Sequence, residues 1–316
     1  MAEWLYEAGI GEARAALVDA DGHILIAAIE PDDAGPLVGA VHAARLVEIL
    51  PGRTARAALA TGEEVLVAKL PHGLAQGRSV TVEIVREAIP EPGRRKPPRA
   101  VVTDAAPAPG PDLAARIAAT GHPVRTLRAH EADRLEQAGW SEVLEEAMTG
   151  DIAFPGGALI LSPTPAMTLF DIDGAPPLEA LALAGASAVA AAIVRHGIGG
   201  SIGIDFPTIE AKAPRHAVAA AIDAGLPQPF ERTAVNGFGF LQIVRPRPRA
   251  SLPERLRGDP GAAAARALLR RIEREPPGGP RHHRVPAPVA RALAARPDWL
   301  AELARRTGVD HRMESA

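Results

Sequence analysis

Short apolar runs separated by glycine turns fill the first third of the chain, and beyond residue 100 they give way to alternating strand and helix periods. Apolar runs at 13–18 and 23–30 flank Asp19-Ala20-Asp21-Gly22, a good turn sequence, and predict a β-hairpin. Segments 39–50, 54–60, 64–70 and 79–87 alternate as strands punctuated by Pro51-Gly52, Gly62, Pro71-His72-Gly73 and Gly77, which predicts a small barrel. The basic, proline-rich stretch 89–98 (IPEPGRRKPP) reads as a linker or exposed loop. A short strand at 100–103, a helix at 112–120 stopped by Gly121, and further helix within 131–149 follow. Next come strands at 158–161 and 167–172, an Ala-rich helix at 178–196 closed by Gly197, a strand at 202–206, a helix at 214–224 and a last strand at 238–244. Past Ser251 the pattern is mostly helical, interrupted by Pro276-Pro277-Gly278-Gly279-Pro280.

Two of these strands end on carboxylates where apolar residues should dominate: Phe170-Asp171-Ile172-Asp173 and Ile202-Gly203-Ile204-Asp205-Phe206. An ionised carboxylate beside a core is expensive unless compensated, and a bound cation is the usual compensator. The intervening helix is a crossover that can bring two parallel strand ends together. Asp171, Asp173 and Asp205 therefore form a candidate site for Mg²⁺, which takes hard oxygen ligands and leaves room for water and substrate phosphate. Turn formation or helix capping is the bland explanation of the same acids. Gly156-Gly157 and Gly199-Gly200 would admit a close phosphodiester backbone, or merely make tight turns. Arg245, Arg247 and Arg249 alternate with prolines, which hold them on extended chain where they would track phosphates or form a solvated basic loop.

Composition narrows the chemistry. The 316 residues include no cysteine, so disulfides, thiolate catalysis and cysteine-ligated zinc are excluded. No Walker lysine or G-x-G-x-x-G motif occurs. The opening residues carry no basic and apolar leader, and the apolar run at 180–194 falls short of a bilayer span, so a cytoplasmic protein without membrane contact is expected. A net charge of −3 conceals a surplus of +8 from Glu231 onward, where 17 arginines and no lysine meet nine acids. That asymmetry fits a protein that holds cations in one place and phosphates in another, or an arginine-rich helical surface.

These segments resemble the ribonuclease E/G family of endoribonucleases. Residues 156–161 (GGALIL) with 164–173 (TPAMTLFDID) resemble its G-G-x-[IL]-[IV]-I and T-E-A-[LM]-T-x-[IV]-D-[IV]-N pattern, and 198–206 (IGGSIGIDF) resembles its [LI]-G-G-x-I-V-I-D-F. Residues 237–241 (GFGFL) and 249–254 (RASLPE) are similar to its F-G-L-x-E and R-P-S-L-x-E segments, in the family's order. The resemblance implies a mixed α/β and α+β fold: an RNase H-like subdomain (residues 1–37 and 100–152) split by an S1-like OB barrel (38–99). A DNase I-like catalytic subdomain (153–250) and a small helical C-terminal region (251–316) would follow. It implies Mg²⁺ on Asp171 and Asp205, and hydrolysis of single-stranded RNA to leave 5′-phosphate ends. Arg245, Arg247, Arg249 and Lys96 would be the RNA contacts.

Four departures qualify the expectation. Asp173 stands where the family uses Asn, adding a charge beside the metal ligands. Only the 89–98 stretch occupies the place of the 5′-sensing subdomain. Arg257-Gly258-Asp259-Pro260 replaces the C-x-x-C zinc link, so no zinc-linked dimer of the family kind is expected. Residues 56–70 contain no aromatic residue, and Ala58 and Leu66 fall where the family stacks bases. An RNA-binding protein with weak or absent cleavage, or a structural partner in a degradation assembly, are the competing expectations.

Overall fold

The computed structural model describes residues 1–91, 94–276 and 278–316. Strands β1 (Glu3–Ala8), β2 (Glu12–Val18) and β3 (Ile24–Pro31) form an antiparallel meander. The predicted hairpin is β2–β3, and its turn is fixed by Asp19, whose Oδ1 accepts the N–H groups of Asp21 and His23 at 2.9 Å.

Strands β4 (Val41–Leu50), β5 (Thr54–Leu59), β6 (Glu64–Ala68) and β7 (Ser79–Arg86) follow the glycine punctuation. Next come β8 (Ile89–Glu91), β9 (Arg94–Lys96) and β10 (Arg99–Val102). A closed five-stranded barrel runs in the order β10-β6-β5-β4-β7, with β10 parallel to β6 and antiparallel to β7. The strand expected to open the next segment thus closes the barrel instead. Three apolar residues, Ala100, Val101 and Val102, fit either sheet, and pairing decides. Alanines 44, 55, 57 and 100 keep the interior narrow around Leu46, Val67 and Ile84. The expected linker is not free either: β8 and β9 pair as a hairpin, and Ile89 is fully buried.

Helix α1 (Leu113–Ala118), capped by Asp112, precedes β11 (Val124–Thr126), which pairs parallel with β1. One sheet therefore unites residues on both sides of the barrel. Helices α2 (Arg134–Gln137) and α3 (Trp140–Thr149) add Leu135, Trp140 and Val143 to its core beside Leu5, Ala27 and Ile29.

A six-stranded sheet contains β12 (Asp151–Phe154), β13 (Gly157–Pro163), β14 (Thr168–Gly174), β15 (Gly200–Asp205), β16 (Glu231–Arg232) and β17 (Phe240–Arg245). Its order is β12-β13-β14-β15-β17-β16, with β14 and β15 the parallel pair. Helices α4 (Leu178–Arg195) and α5 (Lys212–Gly225) cover one face. Strict alternation puts Leu159, Leu161, Phe170, Ile172, Ile202, Ile204, Leu241 and Ile243 beneath them, and sends the odd partners to the opposite, open face. By length and composition α4 is apolar enough to cross a membrane, more than its sequence run suggested. Its buried side, from Leu181 to Ile193, covers this sheet.

The C-terminal region adds α6 (Leu252–Gly258), α7 (Pro260–Glu273), β18 (His282–Val285), α8 (Ala287–Ala294), α9 (Pro297–Thr307) and β19 (Arg312–Ser315). A capping box of Ser251 and Glu254 starts α6. Of the arginines along α7 and its C-terminal cap, only Arg271 stays exposed to solvent. Arg266, Arg270 and Arg274, four residues apart on one face, turn toward acids of the first sheet and of α2. Glu7, only 6% exposed, accepts from Arg14 Nη1 at 2.8 Å, Arg270 Nε at 2.8 Å and Arg274 Nη1 at 3.0 Å.

Candidate metal centre

The parallel register pairs Asp171 directly with Asp205. Partners across adjacent strands share a face and lie about 4.8 Å apart at Cα. The buried neighbours Phe170, Ile172 and Ile204 point to the helices, so both carboxylates project from the open face, exposed. Neither forms a salt bridge or a side-chain hydrogen bond among the described residues. Two adjacent carboxylates without a protein cation repel each other, and a hard divalent ion relieves that repulsion. The pair fits Mg²⁺ by donor chemistry.

Asp173 lies two residues along β14 on the same face, and its Oδ1 accepts the N–H of Gly174 at 2.8 Å. It does not close a tight trio with the pair. The one set of three acid or histidine ligand atoms mutually within 4.8 Å among the described residues is Asp19, Asp21 and His23. That set sits in the β2–β3 turn, where backbone N–H bonds led by that of His23 hold the Asp19 carboxyl below its ordinary range.

The row across the sheet reads Ile160, Asp171, Asp205, Phe240. Gly203, one step before Ile204, is required by a close approach: a Cβ there would lie 2.6 Å from the Phe240 ring and 2.8 Å from Leu169. Phe240 therefore leans over the strand next to Asp205. The loop leading into β17 is held by Asn236, whose Oδ1 accepts from Phe238 and Phe240 N–H at 2.9 and 3.0 Å. It carries Phe238 with 85% of its surface exposed. Arg215, at the start of α5, reaches within 3.6 Å of the position a Cβ on Gly237 would occupy, and exposed Lys212 begins the same helix.

These three side chains were missed by sequence reasoning. The signals were present: an aromatic between two glycines in a chain with 3% aromatics, and Lys212 and Arg215 shortly after the acidic strand end.

The predicted phosphate contacts are not brought to the acids. In β17 the open-face parity belongs to Phe240, Gln242 and Val244, whereas Arg245 shares the parity of Leu241 and Ile243, on the helix side. Arg245 pairs with Gly200, five residues from Asp205, or about 16 Å along the strand. Arg247 is bonded to Glu254, and Arg249 lies 3.0 Å from buried Glu87. Lys96 pairs with Glu91 within the β8–β9 hairpin. The paired glycines serve packing: a Cβ on Gly199 would lie 2.5 Å from the Pro246 carbonyl oxygen, and one on Gly157 2.5 Å from that of Asp173.

Comparison with protein-family models and with curated proteins finds no match to this chain.

Proposed function

We propose that the chain is a divalent-cation-dependent endoribonuclease acting on single-stranded RNA, in keeping with its resemblance to the ribonuclease E/G family. The observation that carries this reading is the in-register Asp171–Asp205 pair on an open sheet face, with no protein cation bonded to it among the described residues. In this reading the two carboxylates hold Mg²⁺, which when bound supplies Lewis-acid polarisation of the scissile phosphate and activation of water. Asp173, tethered to its own following amide, orients the pair and adds negative charge. Phe238 stacks a base of the incoming strand, and Lys212 with Arg215 holds flanking phosphates. The open face leaves the phosphodiester accessible for in-line attack.

The rest of the fold supports an RNA partner. A five-stranded closed barrel with one parallel contact suits an OB-type, S1-like unit. The sheet joining β1–β3 to β11 around that barrel suits an interrupted RNase H-like unit, and the six-stranded sheet suits the DNase I-like part. A cytoplasmic location is part of this reading.

The outer face of β5 and β6 favours a second reading, an RNA-binding protein without efficient cleavage. It presents Arg56 against Leu66, and Ala58 against Glu64, with no aromatic platform. Incubation of labelled single-stranded RNA with the protein and Mg²⁺ separates the two. Cleavage to 5′-phosphate ends, abolished by Asp205→Asn, is expected. RNA retarded on a gel yet intact would establish the second reading.

A further inference from the structure

A second site is built on the other side of the six-stranded sheet. A cavity of about 460 Å³, within the range of small-molecule pockets, lies between β3, α1, the C-terminal end of α4 and the extended segment 245–250. Its wall is apolar, formed by residues such as Ile26, Ile117, Ile193 and Ile198. Its polar side is a ring of guanidinium groups: Arg116, Arg245, Arg247, Arg249 and Arg255. All three arginines of 245–249 line this cavity, together with the prolines between them.

Charge counting defines the ligand. Glu30 pairs with Arg116, Glu254 with Arg247, and Glu87 with both Arg249 and Arg255. Five guanidinium groups thus meet three carboxylates, leaving two positive charges at the cavity. Arg245 has no hydrogen-bond or ion-pair partner among the described residues, and burial alone disfavours its charge. The Nε atoms of Arg245 and Arg247 are buried without partners, whereas that of Arg249 faces Glu87 at 3.0 Å. His196, with no exposed surface, is oriented by Glu146 at 3.2 Å from Nε2, while its buried Nδ1 has no partner.

We propose that this cavity binds a nucleoside monophosphate. Its dianionic phosphate matches the surplus charge and the forked geometry of arginine. The sugar and the flat base lie against the isoleucine wall. The site is independent of the cleavage reading, because Arg245 and the Asp171–Asp205 pair project from opposite faces of the sheet.

Titration calorimetry of the full chain with AMP, adenosine and inorganic phosphate tests it. AMP is expected to bind saturably, with adenosine and inorganic phosphate each at least about ten-fold weaker. Arg245→Gln should weaken AMP by about ten-fold or more, and Arg305→Gln, on the exposed face of α9, should not. The unmodified protein should also melt at higher temperature as AMP is added, and not with adenosine. Absence of both heat and a melting shift up to about 5 mM AMP overturns the proposal. So does equal binding of adenosine, or undiminished AMP affinity in a folded Arg245→Gln variant.

Discussion

Replacing Glu7 by Gln removes one negative charge from the most densely paired buried carboxylate in the first sheet. Its two oxygens accept four bonds, from Arg14 Nη1 (2.8 Å), Arg270 Nε (2.8 Å), Arg270 Nη2 (3.2 Å) and Arg274 Nη1 (3.0 Å). The side chain is 8% exposed and Arg14 2%. Glutamine keeps one acceptor oxygen but turns an amide donor toward guanidinium donors, so at least one arginine loses its partner in a place water cannot reach. Arg270 retains Asp133 at 2.7 Å and Glu136 at 3.1 Å, and Arg14 retains Glu12 at 2.8 Å, which limits the damage. Breaking a buried pair from one side costs about 3–5 kcal/mol, and these residual partners place the expected loss near the lower end, about 3 kcal/mol.

The control is Glu302→Gln. Glu302 accepts from Arg305 and Arg306 at 2.6–2.7 Å, and these bonds depress its carboxyl pKa to about 2. The geometry is as good as at Glu7, but the pair is solvated, so its loss should amount to about 0–1 kcal/mol. Urea unfolding followed by tryptophan fluorescence reads both, because Trp140 and Trp299 are buried on the two sides of the α7 contact. Equal midpoint shifts for the two variants would refute the argument that burial sets the size of these ion pairs.

Asp171→Asn combined with Asp205→Asn should abolish saturable Mg²⁺ binding by calorimetry while leaving the melting temperature in metal-free buffer unchanged or raised, since two like charges are removed. Phe238→Ala should weaken single-stranded RNA by about 1–3 kcal/mol, roughly 5- to 150-fold, without altering stability, because the ring is 85% exposed. Acid should destabilise the fold in a defined window. Burial opposes the charge of Asp133 and of Glu146, but hydrogen bonds from Arg270 and from His196 outweigh it and hold both below their ordinary 3.8 and 4.5. The unfolded chain therefore binds more protons there. The contribution is complete above those ordinary values and disappears as pH falls through the lower folded ones, so unfolding midpoints should hold steady above about pH 5 and decline below about 4. Glu146→Gln should flatten part of that decline.

The elements legible in the sequence are those whose pattern comes from one buried face. In β14 the order Phe170, Asp171, Ile172, Asp173 announces both the strand and its out-of-place acids, and β15 repeats the signal. The barrel was legible through its glycines. Strands β11 and β16 were not, because β11 exposes all three of its residues and β16 is two residues long; backbone pairing alone defines them. The alternation of arginine and proline at 245–249 revealed an extended segment but not its direction. Parity in β17 supplied that, and it placed Arg245 on the face away from the acids. Glu7 and Glu12 are out of place in the first strands as the aspartates are in β14 and β15. Their partners are about 260 residues away on α7, a distance no local pattern bridges.

A basic segment is a nucleic-acid footprint only where its cations are solvated and unpaired. Of the C-terminal surplus, Arg266, Arg270 and Arg274 are spent on the first sheet, and Arg245, Arg247, Arg249 and Arg255 ring a cavity. RNA drawn to the acid pair would meet chiefly Lys212 and Arg215. Two phosphate contacts on a single strand give a slope of about −1.4 for log affinity against log salt. The Asp205→Asn variant, in which the proposed cleavage should be abolished, allows that slope to be measured by fluorescence anisotropy without loss of substrate. A slope near −1.4, lost on Lys212→Gln with Arg215→Gln, fits an RNA path confined to the α5 end of the sheet. A slope of about −5 or steeper would require the tail arginines to face the RNA, contrary to the pairing that holds them inside.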